Sequence, residues 1–131
     1  MVAGGSVGRD SVLMTKVTQL LGRWGEKVAA DHLVAQGMVV LDRNWRTAAG
    51  EIDIVLRDGD AVVFCEVKTR RGSVFGDPAE AVTPSRSRRL RTLAAQWLAI
   101  TRVRPSQVRF DVVKVVVSGS DGPVVTHVRG V

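Results

Sequence analysis

The stretch from Gly50 to Arg70, GEIDIVLRDGDAVVFCEVKTR, constrains the fold more than any other part of this 131-residue chain. It contains two apolar-rich runs joined by Asp58-Gly59, and an Asp-Gly pair between such runs is the strongest short-range signal for a β-hairpin. With this pair at the centre of the turn, Glu51 is expected opposite Glu66. The sequence therefore predicts a hairpin that carries acidic residues on both of its strands.

The acidic residues of this hairpin are expected to lie close together on one face. Because side chains alternate along a strand, Asp53, Glu66 and Lys68 should point the same way. Asp53 is then opposite Phe64 and diagonal to Glu66, at roughly 7–8 Å between backbone atoms. Glu51, Val55, Val62 and Phe64 complete this face, and the other face carries Ile52, Ile54, Leu56, Val63, Cys65 and Val67. Apolar residues on both faces indicate a sheet that is covered on both sides.

Neighbouring carboxylates on a covered face need a compensating charge. An unpaired buried carboxylate is costly and two of them repel, so a cation, hydrogen bonds or protonation must compensate. Lys68 could neutralise one of Asp53 and Glu66, whereas a hard divalent cation such as Mg²⁺ satisfies both and takes substrate phosphate as a further ligand. The alternative is that Glu66 and Lys68 form a surface ion pair on an edge strand while Asp53 is solvated.

Asp53 followed after twelve residues by Glu66-Val67-Lys68 resembles the Asp…Glu-x-Lys signature of the restriction-endonuclease-like (PD-(D/E)xK) nuclease superfamily, with a spacing similar to that of archaeal Holliday-junction resolvases. A longer ordered set, over residues 20–115, resembles the YraN family of small bacterial proteins. That set comprises Gly25-Glu26, Asn44-Trp45-Arg46, Gly50-Glu51-Ile52-Asp53, Phe64-Cys65-Glu66-Val67-Lys68-Thr69-Arg70, Phe75-Gly76 and Arg109-Phe110-Asp111.

The resemblance implies a metal-dependent nuclease and assigns roles to individual residues. Asp53 and Glu66, with Glu26 as a further ligand, would bind Mg²⁺ or Mn²⁺, and the Val67 carbonyl could also bind the ion. Lys68 would be the catalytic lysine. The alternative for Glu26 is a solvated residue paired with a neighbouring base of its helix. Glu51 belongs to the family motif without an assigned role.

The basic composition favours an anionic partner. The net charge is +6 and the pI is about 10.7, which is typical of proteins that bind nucleic acid or an anionic surface. DNA is the expected partner, with phosphates contacted by Arg43, Arg46, Arg70, Arg71, Arg86, Arg88 and Arg89. Three of these arginines occupy the first turns of a predicted helix, where cations oppose the macrodipole. An ordinary solvated basic face is the competing interpretation.

The hydrophobic pattern predicts an α/β fold, a mixed β-sheet flanked by helices in the order α-β-β-β-α-β-β. The resemblance implies that this is a restriction-endonuclease-like core. We expect a disordered tail over residues 1–16 and a single nuclease-like domain over 17–131, whose first helix runs from about Thr18 to Gln36 and ends at Gly37. A second helix is expected to begin at Thr83-Pro84 and form a β-α-β crossover. No apolar run is long enough for a membrane span, and the single cysteine fits a reducing compartment, so we expect a cytoplasmic protein.

Three functional hypotheses follow from these patterns. The first is a metal-dependent endonuclease acting on DNA, with branched or junction DNA as a substrate if the chain forms a homodimer, because a twofold axis would pair two incisions. The second is a nucleic-acid-binding module that keeps the fold without catalysis. The third is an interaction protein with no role in nucleic-acid metabolism. The presence of Asp53, Glu66 and Lys68 together favours the first.

Overall fold

A computed structural model describes residues 3–72 and 84–131 of the chain, with side chains from residue 15 onwards. These ranges contain α1 (Ala3–Ala35), β1 (Val39–Thr47), β2 (Gly50–Asp58), β3 (Ala61–Arg71), α2 (Pro84–Thr101), β4 (Gln107–Val117) and β5 (Pro123–Val128). The predicted order of elements is therefore confirmed.

The strands form one mixed sheet in the order β1-β2-β3-β4-β5. Every neighbouring pair is antiparallel except β3 and β4, which are parallel. Parallel neighbours require a crossover connection, and α2 lies in that connection, as predicted. The expected fold class, an α/β protein with helices packed on a mixed sheet, is confirmed.

The sheet is covered on both faces, as its apolar faces predicted. The α1-side core consists of Ala29, Ala30, Leu33 and Met38 packed on Ile54, Leu56, Val63, Cys65, Val113 and Val115. The α2-side core consists of Leu93, Ala94 and Trp97 packed on Ile52, Val55, Val62 and Phe64. Each face is thus buried beneath one helix, and the predicted apolar stripe of α2 faces the sheet.

The register of the hairpin differs from the prediction. The pair that closes the turn is Asp58–Ala61, so Gly59 and Asp60 occupy its centre. Gly59 has φ of 60° while Asp60 does not have a positive φ, a pattern typical of a type II′ turn. Moving the turn by one residue shifts the register by two, and Val55 rather than Asp53 pairs with Phe64. The predicted pairing of Glu51 with Glu66 was wrong for the same reason.

The faces of β2 also depart from strict alternation. Ile52 and Val55 both lie in the α2-side core, although residues three apart on a regular strand face opposite ways. The sequence analysis assumed regular alternation and grouped Ile52 with Ile54. The alternation of side chains is interrupted between Ile52 and Ile54, that is, at the predicted site residue Asp53.

A matching break occurs in β1. Asp42 and Trp45 both face α2: Asp42 Oδ2 accepts a hydrogen bond of 3.1 Å from the indole N–H of Trp97, and Trp45 packs against the α2-side core. Asn44 lies between them with φ of 51°, a left-handed conformation that breaks the alternation of side chains within the continuous strand. Trp45 therefore contributes to the packing of β1 on the α2-side core.

Helix α1 begins earlier than predicted and ends where predicted. It starts at Ala3 and therefore runs through most of the residues assigned to the tail. Its end is marked by Gly37, with φ of 98°, whose N–H donates to the Val34 carbonyl. Leu20 is 65% exposed, so the N-terminal part of the helix does not contribute it to the core. Within the described residues neither helix combines the length and apolarity needed to cross a bilayer.

The segment after Lys68 is partly strand rather than loop. Thr69, Arg70 and Arg71 continue β3 and pair with Val115 to Val117 of β4. The strand extends because β4 offers a parallel partner along its whole length. Residues 73–83, which include the predicted N-cap Thr83, lie outside the described residues.

Candidate metal centre

The candidate site lies where β2 and β3 stop pairing. Their ladder runs from Asp58–Ala61 to Ile54–Cys65. Beyond it, β2 remains paired only with β1, and β3 only with β4. Asp53 is the first residue of β2 past this ladder, and its Oδ2 accepts a 2.7 Å hydrogen bond from the backbone N–H of Val67. The carboxylate therefore occupies the opening between the two strands and is fixed by the backbone of β3.

Glu26 reaches the same opening from α1. The preceding residue, Gly25, packs directly against Thr69 of β3: a Cβ built on Gly25 would overlap the Thr69 side chain and lie 2.8 Å from its Cβ. The absence of a side chain lets the helix approach the sheet this closely. Gly25 thus explains how a helical glutamate comes beside the carboxylates of β2.

Glu51 and Glu26 are joined by the side-chain amide of Asn44. Asn44 Nδ2 donates to Glu26 Oε2 at 2.7 Å and to Glu51 Oε1 at 2.8 Å. The second oxygen of Glu51 accepts a hydrogen bond of 3.1 Å from Arg46 Nε. The two glutamates are therefore held side by side by donors on β1.

Together these residues form a cluster suited to a hard cation. One carboxylate oxygen from each of Glu26, Glu51 and Asp53 lies within 4.8 Å of the other two. The pKa of Asp53 is raised from 3.8 to about 7, first by burial and then by the charges of Glu26, Glu66 and Glu51, against the opposing hydrogen bond from Val67. Oxygen ligands of this kind fit Mg²⁺ or Mn²⁺, and a bound cation would relieve the repulsion that raises this pKa.

Glu66 and Lys68 lie beside this cluster and are paired with each other. Lys68 Nζ is 3.1 Å from Glu66 Oε1, and Arg86 Nη1 of α2 is 3.3 Å from the same oxygen. Both Glu66 and Lys68 are largely buried, each with 21% of its side chain exposed. Glu66 is near enough to raise the pKa of Asp53, yet among the described residues the three-carboxylate group includes Glu51 in its place.

Two cavities open onto the carboxylates. The first, of about 170 Å³, lies between the sheet and α2 and is lined by Gly50, Glu51, Asp53, Cys65, Glu66, Arg86, Arg89, Leu90 and Leu93. The second, of about 550 Å³, lies between α1 and β1 and is lined by Gln19, Gly22, Arg23, Glu26, Asn44, Arg46 and Glu51. Each cavity pairs acidic residues with two arginines, and Glu51 lines both.

The arginines predicted to contact phosphate are distributed unevenly around the site. Arg86 and Arg89 line the first cavity and Arg46 lines the second. The others, Arg43, Arg70, Arg71 and Arg88, are exposed and line neither cavity. Arg23, which the sequence analysis did not assign to phosphate, joins Arg46 in the second cavity.

Asp111 belongs to a separate, structural network. Its fully buried carboxylate accepts hydrogen bonds from Arg109, from the Gly130 N–H and, at 2.7 Å, from His127 Nε2. Burial raises the pKa of Asp111, but these donors outweigh it and hold the pKa below its ordinary value. Asp111 and His127 therefore join β4 and β5 within a buried hydrogen-bond network. Burial likewise raises the pKa of the Cys65 thiol, consistent with a core cysteine.

Sequence reasoning missed two residues of the site. Glu51 was left without a role: the predicted register placed it opposite Glu66, and the family motif assigns it none. Asn44 was noted only as part of a motif. The signal that could have identified Glu51 is the tight connection between Thr47 and Gly50, since it makes Arg46 and Glu51 partners in a hairpin.

Comparison with known proteins identifies the relatives of this chain. The model of the uncharacterised protein family UPF0102 matches residues 25–115. A UPF0102 protein of Frankia alni is 58% identical over 111 residues, covering 84% of this chain and 92% of the relative. One of Acidothermus cellulolyticus is 52% identical over 122 residues, covering 86% and 92%. One of Streptomyces coelicolor is 47% identical over 133 aligned positions, covering 100% and 99%. The YraN resemblance is thereby confirmed.

Proposed function

Since the chain belongs to the uncharacterised protein family UPF0102, we propose its function from the site itself: a divalent-metal-dependent nuclease that hydrolyses phosphodiester bonds in DNA. The observation that carries the proposal is the cluster of Glu26, Glu51 and Asp53, whose carboxylate oxygens converge within 4.8 Å. The resemblance of Asp53, Glu66 and Lys68 to the nuclease signature supports the same chemistry.

The three clustered carboxylates are the residues that would hold the cation. Asp53 is anchored by the Val67 N–H, and Glu51 by Asn44 and Arg46, so each keeps a defined orientation. A bound Mg²⁺ or Mn²⁺ would lower the pKa of a water molecule and stabilise the charge that develops on a phosphodiester during attack. The Asp53 proton, held in part at neutral pH, would be released when the cation binds.

Lys68 acts on the reacting groups from beside the cluster. Its ammonium is positioned by Glu66, 3.1 Å away, and 21% of the side chain remains exposed. From there it can donate a hydrogen bond to a phosphate oxygen or assist proton transfer from the attacking water. In this proposal Glu66 orients Lys68. The main metal ligands are Glu26, Glu51 and Asp53 rather than Glu66.

The arginines of the two cavities bind the phosphates that flank the scissile one. Arg86 and Arg89 lie on the α2 side of the cluster, and Arg23 and Arg46 lie on the α1 side. Such contacts position a nucleic-acid backbone without reading its sequence. A twofold dimer of such sites would suit paired incisions in branched DNA.

A second candidate is a nucleic-acid-binding module without catalysis. The observation that favours it is the pairing of Glu66 Oε1 with both Lys68 and Arg86. A lysine and an arginine that neutralise one carboxylate form a stable polar group that needs no metal. This candidate predicts salt-sensitive DNA binding that survives Lys68→Ala, and no cleavage.

Cleavage of end-labelled duplex, single-stranded, flap, fork and four-way-junction DNA tests the proposal directly. Wild type is compared with Asp53→Asn and Lys68→Ala in Mg²⁺, Mn²⁺ or EDTA, and Asp31→Asn serves as a control because Asp31 lies on the exposed side of α1, paired with Lys27. We expect metal-dependent cleavage by wild type and the control and none by the other variants. Binding without cleavage of any substrate by folded wild type would favour the second candidate.

A further inference from the structure

Asn44 is the residue that links the two glutamates of the cluster. An amide NH₂ has two donor hydrogens, and Asn44 uses both, one for Glu26 of α1 and one for Glu51 of β2. Both contacts are short, at 2.7 and 2.8 Å. Without a donor between them, these carboxylates would repel one another at this separation. The amide thus offsets the repulsion between these two glutamates, as a bound cation would offset the repulsion among all three carboxylates.

The backbone of Asn44 is held in a conformation that other residues avoid. Its φ of 51° lies in the left-handed region, and among the described residues only Arg102, with φ of 60°, is another non-glycine residue with positive φ. Asparagine tolerates this region better than most residues. The left-handed turn interrupts the alternation of β1, and the side chain of Asn44 reaches Glu26, while Asp42 and Trp45 face α2.

We propose that Asn44 is a positioning residue that sets Glu26 and Glu51 at the separation required for a divalent cation. The inference rests on the proposed function, because it assigns Asn44 to the same metal centre. Groups that hold ligating carboxylates in place contribute about 10- to 100-fold to metal affinity. The strained backbone and the paired hydrogen bonds are two independent observations that converge on this one residue.

The experiment measures the Mn²⁺ dissociation constants of wild type, Asn44→Gly, Arg102→Gly, Glu26→Gln and the Glu26→Gln/Asn44→Gly double variant. It uses electron paramagnetic resonance of the free ion, with a urea unfolding curve for each. Asn44→Gly keeps the backbone conformation and removes the amide. Arg102→Gly is the control, since it also replaces a non-glycine residue of positive φ with glycine, just after α2, and removes no group from the cluster.

We expect folded Asn44→Gly to bind Mn²⁺ at least about tenfold more weakly than wild type, and Arg102→Gly to match wild type. In a Glu26→Gln background, Asn44→Gly should cost about threefold or less, because one of the two carboxylates it serves has already lost its charge. Wild-type affinity in folded Asn44→Gly would overturn this role and leave the proposed function standing. Absence of Mn²⁺ binding by wild type would overturn the proposed function and this role together.

Discussion

Asp53 Oδ2 accepts a hydrogen bond of 2.7 Å from the backbone N–H of Val67, across the point where β2 and β3 stop pairing. A carboxylate thus lies in the gap between two strands of a sheet covered on both faces. Its neighbours are carboxylates from α1 and β2, so the fold brings negative charge together where burial makes it costly.

Asp53→Asn should stabilise the metal-free protein at alkaline pH. The pKa of Asp53 is raised in the folded state to about 7 from 3.8. The folded protein therefore binds more protons than the unfolded chain between about pH 4 and 7, and stability falls as pH rises through that window. The variant should exceed wild type by about 4 kcal/mol at pH 8 in EDTA and by little at pH 4. Urea unfolding at both pH values measures this, and a less stable variant at pH 8 would contradict it.

Asp111→Asn should have the opposite effect. The pKa of Asp111 is lowered in the folded state, because donors from Arg109, His127 and Gly130 outweigh the effect of burial. A lowered pKa contributes stability that is present above the unfolded pKa and lost as pH falls through the folded one. Replacing one member of a buried ion pair costs about 3–5 kcal/mol. We expect that loss in urea unfolding at pH 7 and a smaller difference from wild type below about pH 4; a constant difference at all pH values would argue against it.

Gly25→Ala should damage the metal centre through packing alone. A Cβ at this position overlaps the Thr69 side chain, so α1 must move away from β3 and carry Glu26 with it. We expect a loss of about 1–3 kcal/mol in unfolding free energy and weaker Mn²⁺ binding. Gly22→Ala is the matched control, because a Cβ there meets nothing within 4 Å. Thr69→Ala should partly rescue Gly25→Ala, and equal behaviour of the two glycine variants would exclude this explanation.

Arg89→Ala should weaken DNA binding, whereas Arg91→Ala should not. Arg89 lines the cavity that contains Asp53, while Arg91 of the same helix lies over the Phe110 ring, 4.8 Å from its centroid. Loss of one phosphate contact should reduce the slope of log affinity against log salt by about 1. Fluorescence anisotropy of labelled DNA across a salt series measures this slope. Equal slopes for the two variants would remove Arg89 from the interface.

The overall architecture could be predicted from the sequence because it depends on robust patterns. Leu90, Leu93 and Trp97 mark one face of a helix, and the apolar runs of the hairpin indicate a sheet that is buried on both faces. These features tolerate small errors in position, since a helix or strand remains the same element if its ends move.

The details of the site could not be predicted because they depend on exceptions to those patterns. The turn is centred one residue later than Asp58-Gly59, which moves Asp53 relative to β3 by two positions. The left-handed conformation of Asn44 breaks the alternation that the sequence analysis assumed. Glu51 therefore meets Glu26, a contact that neither periodicity nor spacing indicates.

Mn²⁺ titration of wild type, Glu51→Gln and Glu66→Gln by calorimetry, at pH 7 in two buffers of different ionisation enthalpy, tests the central claim most directly. Wild type should bind one ion and release a proton from Asp53, whose pKa of about 7 leaves it partly protonated. Because Glu51 lies in the carboxylate cluster and Glu66 is paired with Lys68, Glu51→Gln should lose about tenfold or more in affinity and Glu66→Gln much less. No binding by folded wild type, or a loss confined to Glu66→Gln, would contradict this account of the metal centre.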